Sequence, residues 1–115
     1  MREPEVQAKF VAYLIERGWD VSTQNADHAD LIARRGAERL VAEVKGHTSS
    51  PGLDVDTAYG QLLRRMTDDN CDSEFALVVP ESLEGSVVRV PGRVRRQLGV
   101  EVWLVPDSGE PRRIP

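Results

Sequence analysis

The sequence predicts an α/β domain with a mixed central sheet flanked by helices. The order is helix, three strands, helix, strand, a segment readable as a short helix, then strand. Three observations lead there. The stretch DLIARRGAERLVAEVKG, residues 30–46, reads as two short strands joined by a tight turn. Segments 4–17 and 54–66 carry apolar residues at the spacing of one buried helical stripe. FALVV (75–79) and VEVWLV (100–105) are apolar runs of strand length. A hairpin followed by strand–helix–strand crossovers puts antiparallel and parallel pairs in one sheet. The 115 residues amount to a single domain, 1–115, with no repeat, low-complexity stretch or dividing linker.

Taken in order, the first helix covers residues 4–17. Pro4 suits a first turn, and Val6, Phe10, Tyr13 and Leu14 line one stripe before Gly18 ends it. Residues 19–24, WDVSTQ, are a candidate first strand, followed by the polar turn NADHA. In the hairpin, Leu31, Ile32 and Ala33 face Leu40, Val41 and Ala42 across Arg35-Gly36-Ala37-Glu38. Glycine at the first central position of a two-residue loop marks a type II′ turn. That loop pairs Arg35 with Glu38 and, counted back, sets Asp30 opposite Glu43. GHTSSPG (46–52) is a breaker-rich loop, after which Asp54 or Asp56 caps a helix running to about residue 66. Its apolar face is Val55, Tyr59, Leu62, Leu63 and Met66, with Gln61, Arg64 and Arg65 on the flanks. Residues 85–99 could form a short helix begun at Pro91, and the tail PDSGEPRRIP reads as loop.

Composition narrows the classes. At 40% hydrophobic and 30% charged, the chain is of ordinary globular kind rather than disordered. It has no apolar run of membrane-spanning length and no signal-peptide core near MREPEVQ, and the lone Cys71 precludes an internal disulfide or a multi-cysteine zinc site. A cytoplasmic protein without membrane contact is the expectation. The net charge of −4 argues against coating nucleic acid by bulk attraction. It leaves room for local contacts, since Arg far outnumbers Lys and clusters at 34–35, 64–65, 93–96 and 112–113. Any one such pair also suits plain solvated surface.

The chemistry is concentrated in the hairpin. Directly opposed residues hold their Cβ atoms ~4.5–5.5 Å apart, where like charges repel. Lys45, two residues past Glu43, shares its face. Two carboxylates and an amine thus converge, and a divalent cation would make sense of them. A salt-bridged surface of an edge hairpin is the structural alternative. His47 follows the Lys strand and could act as a base or contact a phosphate, although loop histidines usually do neither. His28 would fall opposite Lys45, Tyr59 suits the core, and Cys71 has no assigned role.

Asp30 with Glu43-Val44-Lys45 resembles the active-site pattern of the PD-(D/E)XK phosphodiesterase superfamily, the restriction endonuclease-like fold. Ala29 stands at the proline position of that name. An early helical acid, Glu5, before Gly18-Trp19, and the Gln61 helix YGQLLRR, extend the match over about residues 5–65. The resemblance implies a metal-dependent nuclease acting on DNA. Mg²⁺ or Mn²⁺ would be held by Asp30, Glu43 and the Val44 carbonyl, with Lys45 as the catalytic cation. Glu5 would hold a water or second metal, Gln61 would orient water or touch phosphate, and Arg34, Arg64, Arg65, Arg93 and Arg96 would track phosphates. Relatives often cut duplexes in pairs, so a homodimer or a specificity-giving partner protein is expected. Glu5 as a helix-start acid and Gln61 as a solvated polar residue are the plainer readings. The rival functions are an inactive nucleic-acid-binding or scaffolding module of the same fold, and a hydrolase acting on RNA or a nucleotide.

Overall fold

The hairpin forms as the turn chemistry dictates. In the computed structural model, which describes residues 1–24 and 29–115, β2 (Leu31–Arg35) and β3 (Glu38–Val44) pair antiparallel. The register runs from Arg35↔Glu38 to Leu31↔Ala42. Gly36 sits at φ 59°, the positive φ that a primed turn requires at its first central position. The next pair along the register would be Asp30 and Glu43, just outside the ladder.

Around the hairpin the sheet grows in both directions to six strands in the order β1-β2-β3-β4-β5-β6. β1 (Asp20–Ser22) lies antiparallel on the outer side of β2. β4 (Glu74–Pro80) joins β3 in parallel, and β5 (Val100–Val105) joins β4 in parallel. The crossover from β3 to β4 carries α2 (Pro51–Arg65); that from β4 to β5 carries α3 (Glu84–Val87) and α4 (Gly92–Leu98). α1 (Glu3–Glu16) covers the other face. The sheet is therefore mixed and flanked by helices. No helix among the described residues is long and apolar enough to cross a membrane.

The strand period of two sorts β3 between two cores. Leu40, Ala42 and Val44 pack under Val6, Phe10 and Leu14 of α1. Val41 turns the other way, into a cluster with Val55, Ala58, Tyr59 and Leu62 of α2 and with Phe75, Leu77 and Val79 of β4. Glu43 shares the parity of Val41 and projects toward α2, where Arg65 meets it. β4 is apolar on both faces because helices cover both, as its continuous apolar sequence anticipates.

Several boundaries differ from the sequence reading. α1 begins at Glu3, one residue early, because the backbone N–H of Arg2 donates to Glu5 Oε1 at 3.4 Å and closes the first turn. β1 is three residues rather than six. α2 starts at Pro51, inside the supposed loop, and neither Asp54 nor Asp56 caps it. Asp54 instead accepts the hydroxyl hydrogen bond of Thr48, tying the loop back onto the helix. α4 does begin just after Pro91. The tail is not all loop: β6 (Arg112–Ile114) pairs antiparallel with β5 and buries Ile114. His28 and most of the NADHA turn lie outside the described residues.

One close approach joins the two ends of the site. The backbone leaving β3 passes under the start of α1, with His47 N–H donating to Met1 O at 2.7 Å. A Cβ on Gly46 would stand 2.1 Å from Glu3 N and 2.6 Å from Glu3 Cα. Only glycine leaves room for that contact.

Candidate active site

Asp30 and Glu43 are brought together. The backbone N–H of Val44 donates to Asp30 Oδ2 at 2.7 Å, so the Asp30 side chain continues the hairpin ladder where its backbone leaves off. Glu43 is only 4% exposed. Burial first, then the charge and hydrogen bond of Asp30, push its carboxyl up to about 7 from the usual carboxylate range. Arg65, whose Nε donates to Glu43 Oε1 at 3.0 Å, pulls the other way.

Lys45 is half-buried just past the end of β3, and its backbone N–H extends the parallel pairing by donating to Val78 O at 2.9 Å. Its charge reaches Glu3, a residue the sequence reading passed over. The Glu3 carboxyl is raised by burial and by Asp30, and lowered by Lys45, so Glu3 looks onto the same group. Glu5 does not take the place expected of it. Both acids are exposed, but Glu5 Oε1 accepts from the Arg2 N–H as a helix cap. The signal separating the two acids was Gly46, which lets the backbone of Glu3 rest on the end of β3.

α2 supplies the opposite wall. Gln61 and Arg65 stand one turn apart on it, as residues four apart do. Gln61 Oε1 is buried and, among the described residues, has no hydrogen-bond partner. A buried amide oxygen left unpaired costs about 1–3 kcal/mol, so such an atom calls for a donor or a water. Tyr59, as expected, is core: it is buried and its hydroxyl donates to Val87 O at 2.7 Å.

The arginines divide. Arg64 is exposed on the last turn of α2. Arg65 points inward at Glu43 rather than out toward a phosphate, with its Nε 3.0 Å from Glu43 Oε1. Arg34 is near the far end of β2, four strand steps of ~3.3 Å from Asp30. Arg93 and Arg96 ride on α4, which leads into the N-terminal end of β5, whereas Glu43 is at the C-terminal end of β3. The topology places Arg34, Arg93 and Arg96 away from the carboxylate pair.

The chain matches no family model, no curated protein and no solved structure. What the site can do follows from its own atoms. An extended residue turns its N–H and C=O to the same side, so the Val44 carbonyl opens on the Asp30 side. Two carboxylates and one carbonyl make an all-oxygen donor set, and Gln61 on α2 leaves a further buried amide oxygen unpaired among the described residues. Hard cations take such donors, and Mg²⁺ usually needs only one or two carboxylates beside several waters. Among the described residues no three His, Cys, Asp or Glu side chains gather into a self-sufficient metal centre. The donor set fits a solvated Mg²⁺ or Mn²⁺ better than a caged ion such as Zn²⁺.

Proposed function

We propose that this chain is a small divalent-metal-dependent nuclease that hydrolyses phosphodiester bonds in DNA, built on a restriction endonuclease-like fold of the PD-(D/E)XK kind. The observation that carries this reading is the pairing of Asp30 with Glu43 at the end of β3, two residues before Lys45. Two acids crowded at the end of paired strands raise each other's energy unless a cation joins them. Asp30, Glu43 and the Val44 carbonyl would hold Mg²⁺ or Mn²⁺. A metal bound there supplies Lewis-acid polarisation of the phosphate and activation of water near neutral pH.

The remaining roles belong to the chain's own side chains. Lys45 lies where an ammonium stabilises charge developing on the phosphate, and its compact, hydrated head suits contact with water. Gln61, through its unpaired Oε1, accepts a hydrogen bond from the attacking water and turns it toward phosphorus. Glu3, rather than Glu5, holds the water network together on the side of α1. Arg64 meets the backbone phosphates. A homodimer or a partner protein would supply specificity.

Plasmid and oligonucleotide incubated with purified protein, with and without Mg²⁺ or Mn²⁺, test the reading. Cleavage should require the cation and fall by at least about a hundredfold in Asp30→Ala and Lys45→Ala, the scale of removing one electrostatic stabiliser. Cleavage that survives both substitutions rejects the assignment. The net charge of −4, with three of the proposed phosphate-tracking arginines away from the site, favours a second reading as a binding or scaffolding module. Duplex binding without cutting, unaltered in either variant, would select that module.

A further inference from the structure

We propose that Arg65 is the resident counter-ion of the carboxylate pair: it occupies Glu43 when no cation is bound, yields that carboxylate to a divalent cation, and then turns to a substrate phosphate. The inference rests on the reading of Asp30 and Glu43 as a cation site. It differs from a fixed role for Arg65, either as a permanent brace of Glu43 or as a surface phosphate contact.

Three observations support the exchange. The Arg65 Nε–Glu43 Oε1 contact is 3.0 Å, and the Glu43 side chain is 5% exposed, so the guanidinium and an incoming cation compete for one desolvated carboxylate. The charges come to neutral with a dication in place of Arg65, and overshoot with both. Asp30, Glu43 and Glu3 set against Lys45 and Arg65 leave one net negative charge when all are ionised. A dication added with Arg65 still in place would turn the group net positive, with two cationic centres on one carboxylate. Withdrawal of Arg65 brings the group back to neutrality and frees a guanidinium for an anion. The side chain also has somewhere to go. Arg65 is the last residue of α2, its side chain is 27% exposed, and the exposed Arg64 beside it already faces solvent. Its backbone is held independently, since Asn70 Nδ2 donates to Arg65 O at 2.8 Å, so the side chain can leave Glu43 without unravelling the helix end.

Mn²⁺ affinity, measured by calorimetry without DNA, decides the sign. Removing a competing guanidinium should tighten Mn²⁺ binding in Arg65→Gln on the order of tenfold. A brace would do the reverse, since loss of a group orienting a metal ligand typically weakens binding about 10–100-fold. Unchanged or weakened affinity overturns the exchange. In the wild-type chain, which needs no folded variant, the Arg65 Nε–H resonance should be protected from solvent without metal and lose that protection on saturation with Mg²⁺. Persistence of the protected signal at saturation overturns the proposal as well. Arg65→Gln in a Lys45→Ala background, which suppresses turnover, should reduce the salt dependence of duplex binding by about one phosphate contact, and only with Mg²⁺ present. Absence of Mn²⁺ binding in wild type and Arg65→Gln alike rejects the cation site itself. Equal binding in both rejects the exchange alone.

Discussion

Glu43 is the residue on which the energetics of the site turn. Its carboxyl is at about 7 in the folded chain and near 4.5 once unfolded. Below about 4.5 both states hold the proton and the group does not distinguish them. Between 4.5 and 7 the folded state keeps a proton that the unfolded state releases. Stability from this group therefore declines as pH rises through that window and is flat above it, by up to about 3 kcal/mol for a shift of this size. Glu43→Gln carries a permanently neutral side chain, so it escapes the decline. Metal-free melts at pH 5 and pH 8 should show the variant gaining on wild type at the higher pH. The change in the gap is the diagnostic, because losing the Arg65 partner adds a constant offset at both. A gap independent of pH would mean that the fold does not raise the Glu43 carboxyl. The two helix acids separate in the same manner. Glu3→Gln should alter the Mg²⁺ dependence of melting, whereas Glu5→Gln should cost only the few tenths to about 1 kcal/mol of a lost first-turn interaction, with the Mg²⁺ response intact.

Gly46 sets the geometry between elements. The start of α1 rests on the strand end at a separation that leaves no volume for a methyl group. Gly46→Ala must push α1 away from β3, at a cost of about 1–3 kcal/mol for an overpacked contact, and it should carry Glu3 off the carboxylate pair. A lower melting temperature together with a weakened Mg²⁺ response is expected; loss of stability with the Mg²⁺ response unchanged would detach Glu3 from the site. This packing explains why Glu3 was not legible in the sequence. Both Glu3 and Glu5 are first-turn acids, and only the tertiary contact at Gly46 chooses between them. The hairpin, by contrast, was legible to the residue, because turn chemistry at Gly36 fixes its register and register fixes which side chains share a face. α2, β4 and β5 followed from period and apolar run. β6 did not, since Arg112-Arg113-Ile114 has no local strand signal and becomes a strand only because β5 offers an open edge. The inward turn of Arg65 was equally hidden: it depends on the charge of a carboxyl pair assembled from two other elements.

Across the whole molecule, the pair lies at the carboxyl end of β3, beside β4 running in parallel, and at the edge where α1 begins and α2 ends. Open α/β sheets commonly bind ligands beyond the carboxyl ends of their strands, because loops and helix ends converge there while the strands hold them rigid. Every element that frames the site is thereby tied to the central sheet, and a cation bound to the pair would be linked to global unfolding. A ligand that binds only the folded state adds RT ln(1 + [L]/Kd), about 1.4 kcal/mol at ten times Kd. For a domain of this size that corresponds to a rise in melting temperature of roughly 4–8 °C. At pH 8, where Glu43 is ionised, millimolar Mg²⁺ should produce such a rise. At pH 5, where Glu43 holds its proton, the rise should shrink, because the cation must first displace that proton. Asp30→Asn and Glu43→Gln should each abolish most of the effect at pH 8, while Arg34→Gln, away from the pair, should leave it whole. A rise in wild type that is equal at the two pH values, or that persists in Glu43→Gln, would place the cation elsewhere on the surface and separate metal binding from the facing carboxylates.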